Sequence, residues 1–409
     1  MFTEEKKNFQ ISQDSDNVYK PADEIETSNF IKEIYKKNLP TEIVGTNTKN
    51  FIGNKLQCAK VLDLSRLSGI VEYLPEELYI KVKACTPISL IEESLEKNNQ
   101  QLAFEPIDFG YLKDSKSNKG TAAGQLSCNF SGSRRFKVGS LRDHILGFRG
   151  VNGKGDIIKS GGTVVKNVTG YDLSKLVTGS FGTLTALTEI TFKVLPKKDS
   201  ISTLVIYSED NKVITDLFDQ LLSSSNEISG AVYIPVEPNN KNYTKNIEKI
   251  FKFNNLKSEE PFVAVRIEGS KKSIDERIQD ISQELQTNKM KTSILDFYQS
   301  KLFWEKINNL ELFSGTKNNL LRAVIPTATS LDLMKYLKNN FKYYIDWCGS
   351  LFWIEVLEKE NIQIKEMKET IINLGGYLTI VKKSESLSSD IDLFTINDTR
   401  LLLSQKIKE

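Results

Sequence analysis

Eleven of the chain's 23 glycines fall between Ser131 and Pro196, in a stretch reading SGSRRFKVGSLRDHILGFRGVNGKGDIIKSGGTVVKNVTGYDLSKLVTGSFGTLTALTEITFKVLP. Its carboxylates before Glu189 are Asp143, Asp156 and Asp172. A stretch this rich in glycine cannot fold as long helices, since each interior glycine costs a helix roughly 1 kcal/mol against alanine. It predicts a β-rich unit with short helices and tight turns. Together with the segment just before it, it carries four glycine turns: Gly120-Thr-Ala-Ala-Gly124, Ser131-Gly132-Ser133, Gly161-Gly162 and Gly179-Ser-Phe-Gly182-Thr183. Glycine has no Cβ to keep a neighbour away, so each turn permits close approach to the backbone. Successive N–H groups in such turns bind anions without side-chain charge. The glycines fit a large, flat, partly anionic ligand threaded along backbone. They also fit a tight β-rich domain in which they only turn corners.

Two phosphate cradles are excluded by spacing. No window fits the P-loop pattern G-x-x-x-x-G-K-[ST]. Gly153-Lys-Gly155 starts a G-x-G-x-x-G fingerprint, but Ile158 stands where its third glycine belongs, and the context is a hairpin.

Composition narrows the classes further. The chain has 409 residues and 39% hydrophobic content, with 55 Lys plus Arg against 53 Asp plus Glu. Length suggests two or three domains. The balanced charge, without a basic stripe, speaks against nucleic acid as a partner. No apolar run is long enough for a transmembrane helix, and polar Met1–Asp16 lacks the apolar core of a secretory signal. Cys58, Cys85, Cys128 and Cys348 are scattered with no C-x-x-C, so no zinc or iron–sulfur site is expected within this chain. Unpaired cysteines without a signal peptide suggest the cytoplasm. His144 is the single histidine, so metal ligation and base catalysis by histidine have one residue to draw on.

Along the chain, SNFIKEIYKKNLP (28–40) predicts a helix capped by Ser28 and stopped at Pro40. KVLDLSRL (60–67) and ELYIKVKACTP (77–87) alternate as strands. Thr86 and Pro87 suit the N-cap and first position of a helix, and QLAFEP (101–106) returns as a strand. VNGKGDII (151–158) predicts a hairpin with Asn152-Gly153 in a type I′ turn. After Pro196 glycine becomes sparse. The strand-like runs STLVIYS, GAVYIP, PFVAVRIEG, NLLRAVIP, SLFWIEVLE and YLTIVKK alternate with helical ones, predicting an α+β domain with helices on one face of its sheet. VEPNNKNYTKN (236–246) reads as a loop.

At this point the residues resemble a known family. SGSRRFKVGSLRDHILG and VVKNVTGYDLSKLVTGSFGTLTALTEITFKVLP are similar to the FAD-binding subunits of bacterial glycolate oxidase (glycolate dehydrogenase), within the vanillyl-alcohol-oxidase / p-cresol-methylhydroxylase-like FAD-linked oxidases. The likeness is carried by residues 120–196, extends more loosely over 40–119 and thins beyond 197. It implies an α+β fold: a two-lobed PCMH-type FAD-binding domain over 1–197 (lobes 1–105 and 106–197), an α+β cap domain with an antiparallel sheet over 198–385, and a C-terminal helix over 386–409. It implies FAD, bound non-covalently, since an anchoring histidine would sit in a region that has none here. Gly45, Thr46, Asn47 and Thr48 would meet the pyrophosphate. Pro106, Gly120, Thr121, Gly124, Ser131 and Gly132 would line the flavin and ribityl path. Gly182, Thr183 and Leu184 would flank the adenine or the isoalloxazine edge.

The same resemblance implies oxidation of glycolate, a small 2-hydroxy acid, to glyoxylate alongside a catalytic FAD subunit and an iron–sulfur subunit. Membrane association would be at most peripheral, through the complex. Related dehydrogenases bind a metal in a histidine-rich cap, which this chain lacks. Arg322 in LLRAVIP is the candidate for a substrate carboxylate, because its planar fork donates two parallel hydrogen bonds. Lys166 is a candidate for the flavin edge, and Tyr171 for a place against the ring. Each of the three also reads as an ordinary core or surface residue. Arg134-Arg135 could meet an anionic substrate or the FAD phosphates, or form a solvated pair. His144 reads first as a structural residue. The family's C-terminal tail has no counterpart after TRLLLSQKIKE, which suggests a truncated end. The alternatives are a stand-alone FAD-dependent 2-hydroxy-acid dehydrogenase and a non-catalytic assembly subunit that binds flavin weakly.

Overall fold

A computed structural model of the chain describes residues 17–54, 57–113, 116–163, 170–236, 241–286, 290–338, 340–395 and 398–408. Its first half holds three small sheets. β1 (Val18–Tyr19), β2 (Thr41–Val44) and β3 (Lys60–Asp63) form a parallel sheet in the order β1-β3-β2, leaving β2 on an edge. β4 (Ile70–Leu74), β5 (Tyr79–Lys83), β7 (Ile145–Asn152), β8 (Ile157–Gly161) and β9 (Thr185–Lys193) form an antiparallel sheet in the order β4-β5-β9-β7-β8. β6 (Gln100–Gln101) pairs with β10 (Leu195–Pro196). Ile80, Val82, Phe148, Ile190 and Phe192 turn inward from the five-stranded sheet onto Ile88, Ile91 and Leu95 of the helix Ile88–Glu96.

Local chemistry shifts several boundaries from their expected places. The first helix runs Glu24–Lys36. Asp23 caps it by accepting from Glu26 N (2.8 Å), and Glu26 answers by accepting from Ala22 N (2.7 Å). Asp23 takes the cap in place of Ser28, which lies inside the helix and donates to Gly155 O (2.6 Å). The second helix starts at Ile88, one residue late, because Thr86 Oγ1 is engaged with Gly69 and Lys83. Of the strand expected at 101–106 only Gln101 is in one, the short strand Gln100–Gln101. The β7–β8 hairpin has no type I′ turn at Asn152-Gly153. Asn152 Oδ1 accepts from Lys154 N and Asp156 N, and the left-handed residue is Gly155 (φ +87°).

The second half is built on one antiparallel sheet of eight strands: β11 (Ser200–Tyr207), β12 (Gly230–Ile234), β13 (Phe262–Gly269), β14 (Lys291–Leu295), β15 (Asn319–Val324), β16 (Lys342–Asp346), β17 (Leu351–Val356) and β18 (Tyr377–Lys382). Their order is β14-β11-β13-β12-β16-β17-β15-β18. Strand alternation sends successive residues to opposite faces. Leu204, Ile206, Val263, Val265, Leu321 and Ala323 face the helices Asn211–Ser223, Lys271–Gln286, Ser330–Leu337 and Asn361–Asn373. The expected bare second face is covered. Val205, Val232, Ala264, Leu320 and Trp353 meet the helices Lys241–Ile250 and Phe297–Asn308, and beside them Ile107, Phe109, Leu112 and Phe130 from the glycine-rich half. The first of these helices occupies much of the expected loop 236–246; residues 237–240 lie outside the described residues. One hydrophobic core thus joins the two halves.

Candidate functional site

Strand β2 ends in the turn Gly45-Thr-Asn-Thr-Lys49, which packs against the start of the helix Ala122–Cys128. Thr121 caps that helix by accepting from Gly124 N (3.2 Å). A Cβ on Gly45 would stand 3.0 Å from Cys85 Sγ and 3.5 Å from Thr121 Oγ1. Gly120 (φ +73°) lies under Thr48, where a Cβ would stand 2.5 Å from Oγ1. Only glycine tolerates both that conformation and that proximity. Thr46 and Asn47 are exposed, and Thr48 is buried. The sequence expectation gave Gly45–Thr48 to the pyrophosphate and Gly120, Thr121 and Gly124 to the flavin and ribityl path; the fold sets the two groups side by side. Asp108, fully buried, fixes the adjoining loop by accepting from Gly110 N, Ser117 Oγ and Asn118 N.

A cleft of about 290 Å³ lies along β2, its lining including Ile31, Ile34, Ile43 and Leu62 together with Gly182, Thr183 and Leu184. Its walls are largely aliphatic, with backbone of the Gly182 turn at the rim.

The third group sits where the halves meet. Ser131 Oγ accepts from Leu141 N (3.0 Å). Gly132 O accepts from Trp347 Nε1 (2.9 Å), and Pro106 O accepts from Asn308 Nδ2 (2.9 Å). Ser133 Oγ donates to Asp346 Oδ2 (2.7 Å), and Trp347 N donates to Asp346 Oδ1 (2.6 Å). Burial pushes the Asp346 carboxyl up to about 6, against the pull of those two donors. Trp347, Cys348 and Gly349 follow with φ of +50°, +54° and +97°, an unusual left-handed run. Such backbone persists only where surrounding contacts impose it.

Beside it lies a buried ionic quartet. Glu105, itself left-handed (φ +52°), binds Arg134 Nη1 (2.9 Å) and Arg266 Nη1 (2.7 Å). Glu268 takes Arg134 Nη2 (2.6 Å) and Nε (3.0 Å). Arg322 lies on the β15 face that meets the glycine-rich half, 6% exposed. Its guanidinium is 4.9 Å from the Trp347 ring and 5.3 Å from that of Phe130. Its Nε has no hydrogen-bond partner among the described residues. Burial pulls its pKa below the ordinary arginine value, with Tyr377 acting the other way. Arg135 crosses the Trp347 ring at 4.2 Å.

The remaining expected residues fall elsewhere. Tyr171 is 94% exposed and is not brought to any of these groups. Lys166 lies outside the described residues. His144 is buried, with Nε2 3.0 Å from Val138 O and its ring against Phe104, and burial lowers its pKa. Sequence reasoning missed Lys49, Glu105, Arg266, Glu268 and Asp346. A signal existed for three: Arg266, Glu268 and Asp346 are charges inside the apolar strand runs PFVAVRIEG and KYYIDW.

These features suit a dinucleotide that carries a flat ring. An ammonium and two hydroxyls meet at the glycine turns, an aliphatic cleft opens along β2, and a buried arginine with a free Nε stands among aromatic rings at the junction. Residues 15–161 match the family described as FAD binding domain. The match is confined to the first half of the chain and marks an FAD-binding domain there. The chain is 29% identical over 351 residues to glycolate oxidase subunit GlcE of Escherichia coli (strain K12), covering 85% of this chain and 84% of that protein. It is 39% identical over 109 residues to glycolate oxidase subunit GlcD of Bacillus subtilis (strain 168), 26% of this chain and 23% of that one. A solved alkyldihydroxyacetonephosphate synthase shares the fold with a TM-score of 0.65 at 16% identity, over 96% of this chain and 73% of its own. The shared fold therefore includes the eight-stranded sheet. No described helix is long and apolar enough to cross a membrane.

Proposed function

We propose that this FAD-linked oxidoreductase is the FAD-binding subunit of a glycolate-oxidising complex, working with a catalytic flavin subunit and an iron–sulfur subunit. The observation that carries this reading is that the likeness to GlcE spans both halves of the chain, not the FAD-binding domain alone. FAD, when bound, supplies the acceptor for the electrons that leave a 2-hydroxy acid. In this reading Thr48, Thr121 and the turns at Gly45, Gly120 and Gly124 hold the cofactor's centre, and the cleft beside Gly182–Leu184 takes the adenine. Pro106, Ser131 and Gly132 border the ring. In this reading the cofactor is held non-covalently, and the lone histidine, buried beside Phe104 with Nε2 3.0 Å from Val138 O, plays a structural part. The residues divide into an FAD-binding domain over 1–197, a cap over 198–385 and a terminal helical segment over 386–409.

A second reading is a dehydrogenase that acts on a small 2-hydroxy acid by itself. Arg322 favours it, because a buried guanidinium with a free Nε suits a carboxylate. The test is the absorbance spectrum of the purified chain during anaerobic addition of glycolate. Flavin peaks that bleach only when partner subunits are present support the first reading. Bleaching of the isolated chain supports the second. Failure to take up FAD removes both.

A further inference from the structure

We propose that Lys49 is the counter-ion of the cofactor's pyrophosphate, an inference that rests on the FAD reading above. Its ammonium sits over the two glycines of the neighbouring turn. Nζ is 3.0 Å from the place a Cβ of Gly120 would take and 3.7 Å from that of Gly124. It makes one long hydrogen bond, to Lys119 O at 3.4 Å, and no ion pair among the described residues.

The nearby acids are engaged elsewhere. Asp108 spends its oxygens on Gly110 N, Ser117 Oγ and Asn118 N. Glu92 is paired with Lys119. The Cys128 thiol, pushed up to about 11 by burial and lowered only in part by Lys49, is neutral at pH 7 and offers no countercharge. The Phe109 ring lies 5.9 Å from Nζ, which gives a weak contact at best. Burial lowers the pKa of Lys49, with Cys128 and Asp108 opposing.

A half-buried ammonium held by one long hydrogen bond leaves part of its desolvation cost unmet in the free protein. An anion seated between Thr48, Thr121 and the Gly120 and Gly124 turns would remove that cost. The position selects which anion. The aliphatic cleft lies along β2, which leads into this turn, and the aromatic junction of Phe130 and Trp347 lies where the glycine-rich half meets the eight-stranded sheet. A dinucleotide bridging the two has its pyrophosphate between its two ring systems, at the turn. The segment Gly45–Lys49 has one glycine, so a side-chain cation adds charge that its backbone N–H groups do not supply.

The experiment is calorimetric titration of the full-length apo chain and its Lys49→Met variant with FAD and with ADP, and thermal melts of both apo forms. The expected result is weaker binding of both ligands to the variant by roughly tenfold to hundredfold, the range of a lost charge-assisted hydrogen bond. The apo variant is expected to melt above the wild type, because the unpaired ammonium is gone. Equal affinities in variant and wild type overturn the proposal. So does loss of FAD affinity with ADP affinity intact, which would place the ammonium at the ring. A wild-type chain that binds neither ligand refutes the FAD reading itself.

Discussion

Glu268→Gln is the perturbation whose cost the structure fixes best. Glu268 and Glu105 face Arg134 and Arg266, two charges of each sign, with all four side chains at most 15% exposed. Burial alone would raise the Glu268 pKa, but the two guanidiniums outweigh it and hold the carboxyl at about 2 against an ordinary 4.5. At about 1.4 kcal/mol per unit that difference corresponds to about 3 kcal/mol of folding stability. Removing one partner from a buried network costs about 3–5 kcal/mol through the orphaned charge, so both routes converge. The sign follows from the direction of the shift. A carboxyl whose folded pKa is depressed stabilises fully above its unfolded value, and that stability is lost as pH falls from about 4.5 to about 2. Glu268→Gln should therefore lose about 3 kcal/mol at pH 7 and show a flatter acid limb. Urea denaturation followed by tryptophan fluorescence reads it directly, since Arg266 lies over Trp304 at 4.5 Å. Arg134→Met on the Glu268→Gln background should restore part of the loss, leaving Glu105 paired with Arg266. A loss below about 1 kcal/mol, the scale of an exposed pair, with no recovery in the double variant, would refute the quartet as a buried network.

Asp346 runs the other way. Its folded pKa of about 6 lies above the ordinary 3.8, so stability present below the lower value is lost as pH rises through the higher one. Asp346→Asn should match wild type at pH 4 and exceed it by about 3 kcal/mol at pH 8, seen in thermal melts across that range. Arg322→Lys should keep the fold but lower kcat/KM for glycolate in the assembled complex by roughly tenfold to hundredfold, because an ammonium cannot reproduce the bidentate fork; unchanged kinetics would remove Arg322 from the substrate site. Gly132→Ala would put a Cβ 2.3 Å from Asn308 Oδ1 and 2.7 Å from Glu105 Cβ. It should cost about 1–3 kcal/mol by overpacking and shift the fluorescence of Trp347, which donates to Gly132 O.

What the sequence revealed, and what it hid, divides by range of interaction. The strands β11, β12, β13, β15, β17 and β18 were readable because each is buried on both faces and bounded by polar turns. The edge strand β14 was not: KTSIL is mostly exposed and carries little apolar signal. Ser28 misled because a cap is decided by which side chain reaches a free N–H, and Asp23 reaches first. The close backbone approaches at Gly45, Gly120 and Gly124 were legible because a missing Cβ is a local fact with a spatial meaning. The quartet was not, because Glu105, Arg134, Arg266 and Glu268 meet only after two halves dock, and periodicity within a strand says nothing of what covers it.

Arg322 marks the boundary between the two cases. Its parity with Leu320 and Val324 is written in the strand and assigns it to one face of the sheet. A charge on an apolar face must find a partner or a ligand. The structure gives it Trp347 and Phe130 and leaves Nε free, as it leaves Lys49 with one long bond. The two under-satisfied cations lie in different halves of the chain, one at the glycine turns and one on β15 at the junction. A site that binds cofactor with the first and a substrate carboxylate with the second should therefore lose FAD affinity through Lys49 and substrate affinity through Arg322, each independently of the other. Measured in the double variant, the two losses should add, and strong coupling between them would place both cations on the same ligand.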